Sequence, residues 1–375
     1  MTDDEGSERE EIAAMATTAT TLAEGEEQAA DAETAQAQPP SSTSSAGAQP
    51  PPQKIQYSGP MVCHGHSRPI VDLQFSPVTK DGVFIVSASK DGKPMLRNGA
   101  TGDWIGTFEG HKGAVWSACL NVPATLAATG SADFSAKVWD ALTGEQVYEF
   151  GHKHIVRCVS FSPDSSKLCT GGFEKQLKIY DLTKPEVDPV CLPKQTSAIK
   201  CAQWSTENAN LIYTSLADEG GVAVWDVRTS AKAAFSFDTG KDCVTSIELS
   251  PGGLVTTASG REVNFWKAET GERAKSAVTI PFVVESASLC VEKACFAAGG
   301  EDMWVHLYDY ETGEEIAQNK GHHGPVHCVR FAPDGESYAS GSEDGTIRIW
   351  ATPTRPGPGS SGDSEASDTT TATKD

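Results

Sequence analysis

Six aromatic residues recur along this chain at a nearly constant interval: Trp139, Tyr180, Trp225, Trp266, Tyr308 and Trp350, separated by 41, 45, 41, 42 and 42 residues. One further step of 42 residues back from Trp139 lands on Arg97, near the end of the related segment Ser87–Asn98 (SASKDGKPMLRN). Seven copies of one period constrain the fold more than any total can. A repeat of this length is one supersecondary unit that cannot bury its apolar surface alone and must stack on its neighbours. Inside the period, stretches such as AVWSACL, LAATGSAD and SAKVWD alternate apolar and small or polar residues, the period-two pattern of half-buried strands. Asp91-Gly92, Asp334-Gly335 and Asp344-Gly345 mark tight turns that favour positive φ. The spacing predicts four strands per repeat, folded as one blade.

Two dipeptides punctuate the period. Gly-His opens four repeats (Gly65-His66, Gly110-His111, Gly151-His152, Gly321-His322), and Trp-Asp or Tyr-Asp closes four (Trp139-Asp140, Tyr180-Asp181, Trp225-Asp226, Tyr308-Asp309). Together with the period they resemble the WD40 repeat, which implies an all-β, seven-bladed propeller over residues 53–354. The resemblance also implies a hydrogen-bond chain in each blade, from Trp to Ser/Thr to His to Asp. An indole N–H only donates, a hydroxyl donates and accepts, and the imidazole passes the chain to a carboxylate. The second repeat holds the full set, His111, Thr129, Asp133 and Trp139, as does the seventh, His322, Ser340, Asp344 and Trp350. The first has His66, Ser87 and Asp91 but Arg97 for Trp; the third has His152 and Thr170 with Glu174 and Tyr180 in the acid and aromatic places. The fourth, fifth and sixth lack Gly-His and are expected to lean on apolar packing and to be looser. The strand at Gln53–Cys63 has no earlier blade to join, so it is expected to complete the last one and remove a free edge.

The two ends are of another kind. Residues 1–52 carry eleven acids and one Arg among Ala, Thr, Ser and Pro, and residues 355–375 are mostly Gly, Ser, Thr and Pro. Neither can bury enough apolar surface to offset its ordering entropy, so both are expected to be disordered tails. Nearly half of the formal charge of −21 sits in the first tail, which leaves a mildly acidic core. That balance argues against direct nucleic-acid binding, which draws on clustered Lys and Arg. No apolar run approaches the ~20 residues of a membrane span. Ten cysteines stand singly with no Cys-x-x-Cys pair, as buried thiols of a reducing compartment would. The acidic N-terminus lacks a secretory h-region, so cytoplasm and nucleus are the expected locations.

Candidate chemistry is sparse. His152-Lys153-His154 and His322-His323 with His327-Cys328 follow no structural zinc spacing, and His152 and His322 belong to the Gly-His motif. No Gly-x-Ser-x-Gly elbow or phosphate loop occurs. The expectation is therefore no metal, no cofactor and no catalysis. By analogy with WD40 propellers, partner-contacting residues stand just after the Gly-His on the first strand and just before the turn acid. These places hold Trp116, Arg157, Lys200, His327, Lys90, Phe173 and Glu343. Trp and Arg dominate interface hot spots, so Trp116 and Arg157 are the expected anchors, with partial burial in the core as the competing reading of Trp116.

Several stretches are similar to one family in particular: GHSRPIVDLQFSP, ATGSADFSAKVWDALTGE, GHHGPVHCVRFAPDGESYASGSEDGTIRIW and above all Lys90–Trp116, where Lys93–Arg97 (KPMLR) replaces a Trp-Asp motif. They resemble the serine-threonine kinase receptor-associated protein family of WD40 adaptors, closely over 63–182 and 297–350 and only in spacing over 190–296. The resemblance implies a non-catalytic scaffold, a monomeric propeller within a larger protein complex, with two roles. One is in the survival-of-motor-neuron complex, which loads Sm proteins onto spliceosomal small nuclear RNAs and so serves mRNA splicing. The other, in animals, is damping of transforming-growth-factor-β receptor signalling. Nothing in the acidic extension marks an animal lineage, so ribonucleoprotein assembly is the expectation. The alternatives are subunit i of translation initiation factor three and a ubiquitin-ligase substrate receptor docking through Arg228 of the Trp225–Arg228 segment.

Overall fold

The computed structural model describes residues 59–229 and 232–353. All 28 elements among them are strands, numbered β1 to β28 in chain order, and they form seven four-stranded antiparallel sheets. Six sheets use consecutive strands, the first running from β2 (Ile70–Phe75) to β5 (Trp104–Thr107). The seventh joins β1 (Met61–Cys63) to β28 (Ile347–Ala351), β27 (Ser337–Ser342) and β26 (Val326–Phe331). The ends of the propeller thus share a blade as expected, through a short strand: Met61, Val62 and Cys63 face Ile349, Arg348 and Ile347. Residues 53–58, both expected domain boundaries and both tails lie outside the described residues.

The middle strands of a blade are apolar or small on both faces. β7 (Leu126–Ser131) and β8 (Ser135–Asp140) each bury five of six residues. Every blade therefore needs an apolar neighbour on either side, and seven hydrophobic clusters supply one per seam. The first seam sets Val86, Ala88 and Leu96 against Val115, Leu120 and Trp139. The last sets Ile347 and Ile349 against Ile70, Leu73 and Ile85. Glycine brings some seams closer: a Cβ at Gly130 would lie 2.8 Å from Val156, and one at Gly341 2.7 Å from Ile70.

Polar side chains on the inner strands reach across the seams to backbone on the next blade. Gln74 accepts from the Leu120 N–H (3.0 Å), Ser160 from Trp204 (3.0 Å) and Ser288 from Phe331 (2.8 Å). Arg330 on β26 donates to Ser286 Oγ (2.8 Å) and Ser246 Oγ (3.3 Å), tying three blades together around the channel.

Within the blades the expected polar chain is present in full twice. Trp139 Nε1 donates to Thr129 Oγ1 (2.8 Å), which meets His111 Nε2 (2.7 Å), whose Nδ1 meets Asp133 (2.8 Å). Trp350, Ser340, His322 and Asp344 repeat this at 2.8, 2.8 and 3.0 Å. The first blade keeps His66 on Ser87 (2.8 Å) and Asp91 (2.9 Å). Its Arg97 does not extend that chain: the buried guanidinium donates to the carbonyls of His64 and Gly102 (3.1 Å for the latter) and so pins the loops flanking the blade. In the third blade His152 meets Thr170 (3.3 Å), Tyr180 (3.4 Å) and Glu174 (3.5 Å).

The three blades without Gly-His are less bare than expected. Trp225 still donates to Thr214 (2.8 Å) and Trp266 to Thr257 (3.0 Å), so the chain is shortened there rather than lost. The sixth blade builds a different one. His306 on β24 (Val305–Asp309) is buried between Asp302 (2.6 Å) and Glu315. The left-handed turn position also tolerates side chains: Phe134, Lys175 and Met303 take φ of 65°, 61° and 67° where other blades use Gly92 and Gly345.

Burial, reinforced by Lys178, holds the His152 imidazole below the usual histidine range, with Glu174 opposing. Burial would raise Asp344, but donors from the backbone N–H of His323, the hydroxyl and N–H of Thr346, and His322 outweigh it and hold the carboxyl at about 2.

Two outcomes follow. Deleting residues 53–63 uncovers the edge of β28 and part of the last seam, and should lower the thermal midpoint of the whole propeller in a single transition; an unchanged melt would contradict the closure. For pH, a histidine depressed in the folded state leaves the unfolded chain binding more protons below about 6.5, so its share of stability is present above that value and lost on acidification. The slope of unfolding free energy against pH between about 6.5 and 4 should therefore be smaller in His152→Asn than in the parent chain. Equal slopes by denaturant titration would show that His152 does not titrate with folding. Asp344 contributes a separate loss as pH falls from about 4 towards 2.

Candidate interaction surface

Each inner strand opens with a β-bulge. The register breaks at Ile70/Asp72, Val115/Ser117, Val156/Cys158, Ile199/Cys201, Val244/Ser246, Val284/Ser286 and Val326/Cys328. A bulged residue leaves the ladder and its side chain is re-aimed. The seven skipped residues are Val71, Trp116, Arg157, Lys200, Thr245, Glu285 and His327, and all line one cavity of about 190 Å³ at the Gly-His end of the channel. The β-branched residue before each is fully buried and anchors the strand.

Four expected surface residues, Trp116, Arg157, Lys200 and His327, belong to this ring, and Lys90 reaches it from the first blade's turn. The Arg157 guanidinium lies 4.1 Å from the Trp116 ring centroid and Lys90 Nζ 5.9 Å from it. Trp116 is half-buried, and its indole N–H has no hydrogen-bond partner. Glu343 stands beside the ring, accepting from His327 Nε2 (2.7 Å) and pairing with Lys90 (3.6 Å). Lys200 Nζ reaches Cys243 Sγ at 3.6 Å. Below the mouth, burial raises the Asp72 carboxyl above the usual range, partly offset by Arg330.

Phe173 is the exception. It lies outside the cavity and stacks on His154 (5.2 Å between centroids), which in turn leans on Phe134 (5.5 Å). This three-ring row, exposed at Phe134 and Phe173 and half-buried at His154, spans the second and third blades at the same end. Sequence reasoning missed Phe134 and His154 as surface residues, and missed Val71, Thr245 and Glu285 in the ring. The signal for the ring was available: a buried Val or Ile, then a variable residue, then a small one, at the start of every repeat.

The mouth combines an aromatic platform, cations and carboxylates already engaged with one another. Such a surface can recognise a protein segment through stacking and charge. Among the described residues no group of three or more His, Cys, Asp or Glu is placed to hold a metal ion, and no helix is long and apolar enough to cross a membrane. Arg228 is exposed, with its fork already engaged by Asp226 at 3.0 and 2.7 Å.

Comparison with known proteins agrees with this architecture. The family model described as WD domain, G-beta repeat matches residues 102–140, 144–181 and 313–351. The serine-threonine kinase receptor-associated protein of Gallus gallus is 52% identical over 78% of this chain and 82% of its own length. The Homo sapiens protein of that name is 51% identical with the same coverage, and that of Dictyostelium discoideum 49% identical over 78% of this chain and 98% of its own length. Subunit I of eukaryotic translation initiation factor 3 from Drosophila grimshawi is more distant, 30% identical over 77% of this chain and 95% of its own length. About half identical to these relatives over 78% of its length, the chain belongs to the serine-threonine kinase receptor-associated protein family of WD-repeat propellers.

Proposed function

We propose that this protein is a non-catalytic scaffold whose working surface is the Gly-His end of the channel, and that it serves assembly of spliceosomal small nuclear ribonucleoproteins in a survival-of-motor-neuron-type complex. The observation that carries the scaffold reading is the Arg157–Trp116 stack at the channel mouth. A partner that stacks on the exposed part of that surface and brings a carboxylate to Arg157 would engage the two residue types that dominate interface hot spots. The assembly role rests on the family and on the resemblance of Lys90–Trp116. It places the protein in cytoplasm and nucleus, in contact with protein subunits rather than RNA. The cations at the mouth are interleaved with Glu285 and Glu343, which does not make a continuous track for phosphates. The relatives' names speak of association with a serine-threonine kinase receptor, a second adaptor role open to the same surface. A ubiquitin-ligase role would require Arg228 to leave Asp226.

Replacing both Trp116 and Arg157 by Ala should leave the thermal midpoint nearly unchanged and weaken partner capture about tenfold or more, since a lost hot spot costs about 2 kcal/mol or more. Affinity capture with mass spectrometry checks this. Recovery of Sm-assembly subunits, reduced in the double variant, supports the proposal. Recovery of initiation-factor subunits instead supports the alternative, and undiminished capture by the double variant moves the interface elsewhere.

A further inference from the structure

We infer that Cys290 and Cys295 are a redox-sensitive thiol pair at the far end of the channel, convertible by a hydroperoxide into a cross-strand disulfide. The two residues end β22 (Val284–Cys290) and begin β23 (Cys295–Gly300), and they face each other as the last register pair before the turn at 291–294. Directly opposed residues of an antiparallel ladder put both side chains on one face, with Cα atoms about 4.5–5.5 Å apart. That falls inside the ~4.4–6.8 Å window that a disulfide requires. The backbone register of the pair is therefore compatible with a disulfide.

Direct opposition across one ladder and reactivity distinguish this pair from the other buried cysteines, of which Cys119 borders the same cavity. Cys290 lines the apolar cavity of about 440 Å³ that opens at the end of the channel opposite the Gly-His loops. A small oxidant can reach its sulfur there, although the residue as a whole is only 6% exposed. The hydrogen bond from Cys295 brings the Cys290 thiol down to about 7 against the effect of burial, with help from the Lys293 N–H. The thiolate is the nucleophilic form. Burial instead pushes Cys119, Cys158, Cys169 and Cys328 upward, to about 12 for Cys169.

The chemistry balances with hydrogen peroxide as oxidant. The Cys290 thiolate attacks one peroxide oxygen and the O–O bond breaks, giving a sulfenic acid at Cys290 and hydroxide, which takes up the proton that Cys290 had lost. The Cys295 sulfur then displaces hydroxide from the sulfenic sulfur, and the Cys295 proton leaves with it as water. Two thiols are oxidised by two electrons, and one peroxide is reduced to two waters.

The pair sits in the seam between the sixth and seventh blades. Its Cys290 sulfur packs on the turn at Gly335, where a Cβ would lie 2.7 Å away, and Lys293 pairs with Glu336 (2.7 Å) across the same seam. Oxidation draws that sulfur towards Cys295 and away from the seventh blade.

The test treats the folded full chain with hydrogen peroxide, quenches with an alkylating agent and maps tryptic peptides without reduction. Lys293 lies between the two cysteines, so cleavage after it leaves two peptides joined only where the disulfide has formed. The expected result is a joined 290/295 pair at a peroxide dose at which the exposed Cys191 still alkylates. A Cys295→Ser chain should stop at a sulfenic acid on Cys290, trapped by a dimedone reagent. Circular dichroism alongside confirms that the chain stays folded. Full alkylation of both cysteines at doses that oxidise Cys191 would overturn the inference, as would a joined pair that appears only after unfolding, or a Cys295→Ser chain in which Cys290 stays reduced.

Discussion

The structure turns on one constraint: a blade whose central strands are apolar on both faces has no face to give to water. In a two-layer sandwich each sheet buries one face and solvates the other. Here β7 and β8 are buried on both sides, so each blade must be flanked twice, and a row of such blades has no acceptable ends unless it closes on itself. Seven seams with seven apolar clusters are the closed solution. Placing β1 beside β28 follows from the same logic, because it makes the last junction a hydrogen-bonded sheet as well as a hydrophobic contact. Gln74, Ser160, Ser288 and Arg330 add polar ties where the strands converge on the channel and apolar area is smallest.

The polar chains inside the blades work within that frame. A buried indole N–H, hydroxyl and imidazole each cost free energy unless matched, and the Trp–hydroxyl–His–Asp sequence matches all of them in one line. This explains why the partial versions of the fourth and fifth blades stay viable: the chain is cut back from its solvent-facing end, as in Trp225–Thr214 and Trp266–Thr257, with the indole still matched, whereas the Tyr308 hydroxyl of the sixth is left without a partner. Arg97 shows the other solution. Its guanidinium is a donor like the indole it replaces, but it donates to the carbonyls of His64 and Gly102 rather than to Ser87 and ties loops instead.

How far the sequence was legible follows from whether each feature is local to the repeat. Period, Gly-His and Trp-Asp are local, so the blades, their four strands and the two full hydrogen-bond chains could be read directly. Closure was legible too, since the first segment had no blade of its own, and among the described residues Met61–Cys63 supply the strand. The His306 cluster was not. Its histidine has moved from the loop to β24, and its acids come from a turn and from the outer strand, so no motif announces it. Phe173 is placed differently from the other candidates for a related reason. Its place in the turn was right, but the turn of the third blade hands it to His154 rather than to the channel.

The bulge at the head of each inner strand separates what folds the chain from what it can recognise. The residue before it is always Val or Ile and fully buried; the residue after it is small. The bulged residue leaves the ladder, and although Val71 packs on the first seam and Thr245 bonds to Val284 O on the next blade, the seven positions hold residues as different as Val, Trp, Arg, Lys, Thr, Glu and His. Two propellers can therefore share period, seams and closure and still present unrelated mouths. The difference in role between this family and the more distant initiation-factor subunit is then to be sought in those positions and the adjoining turns. Residues that hold the ring together are the ones two propellers must share whatever they bind, and their agreement carries little information about partners.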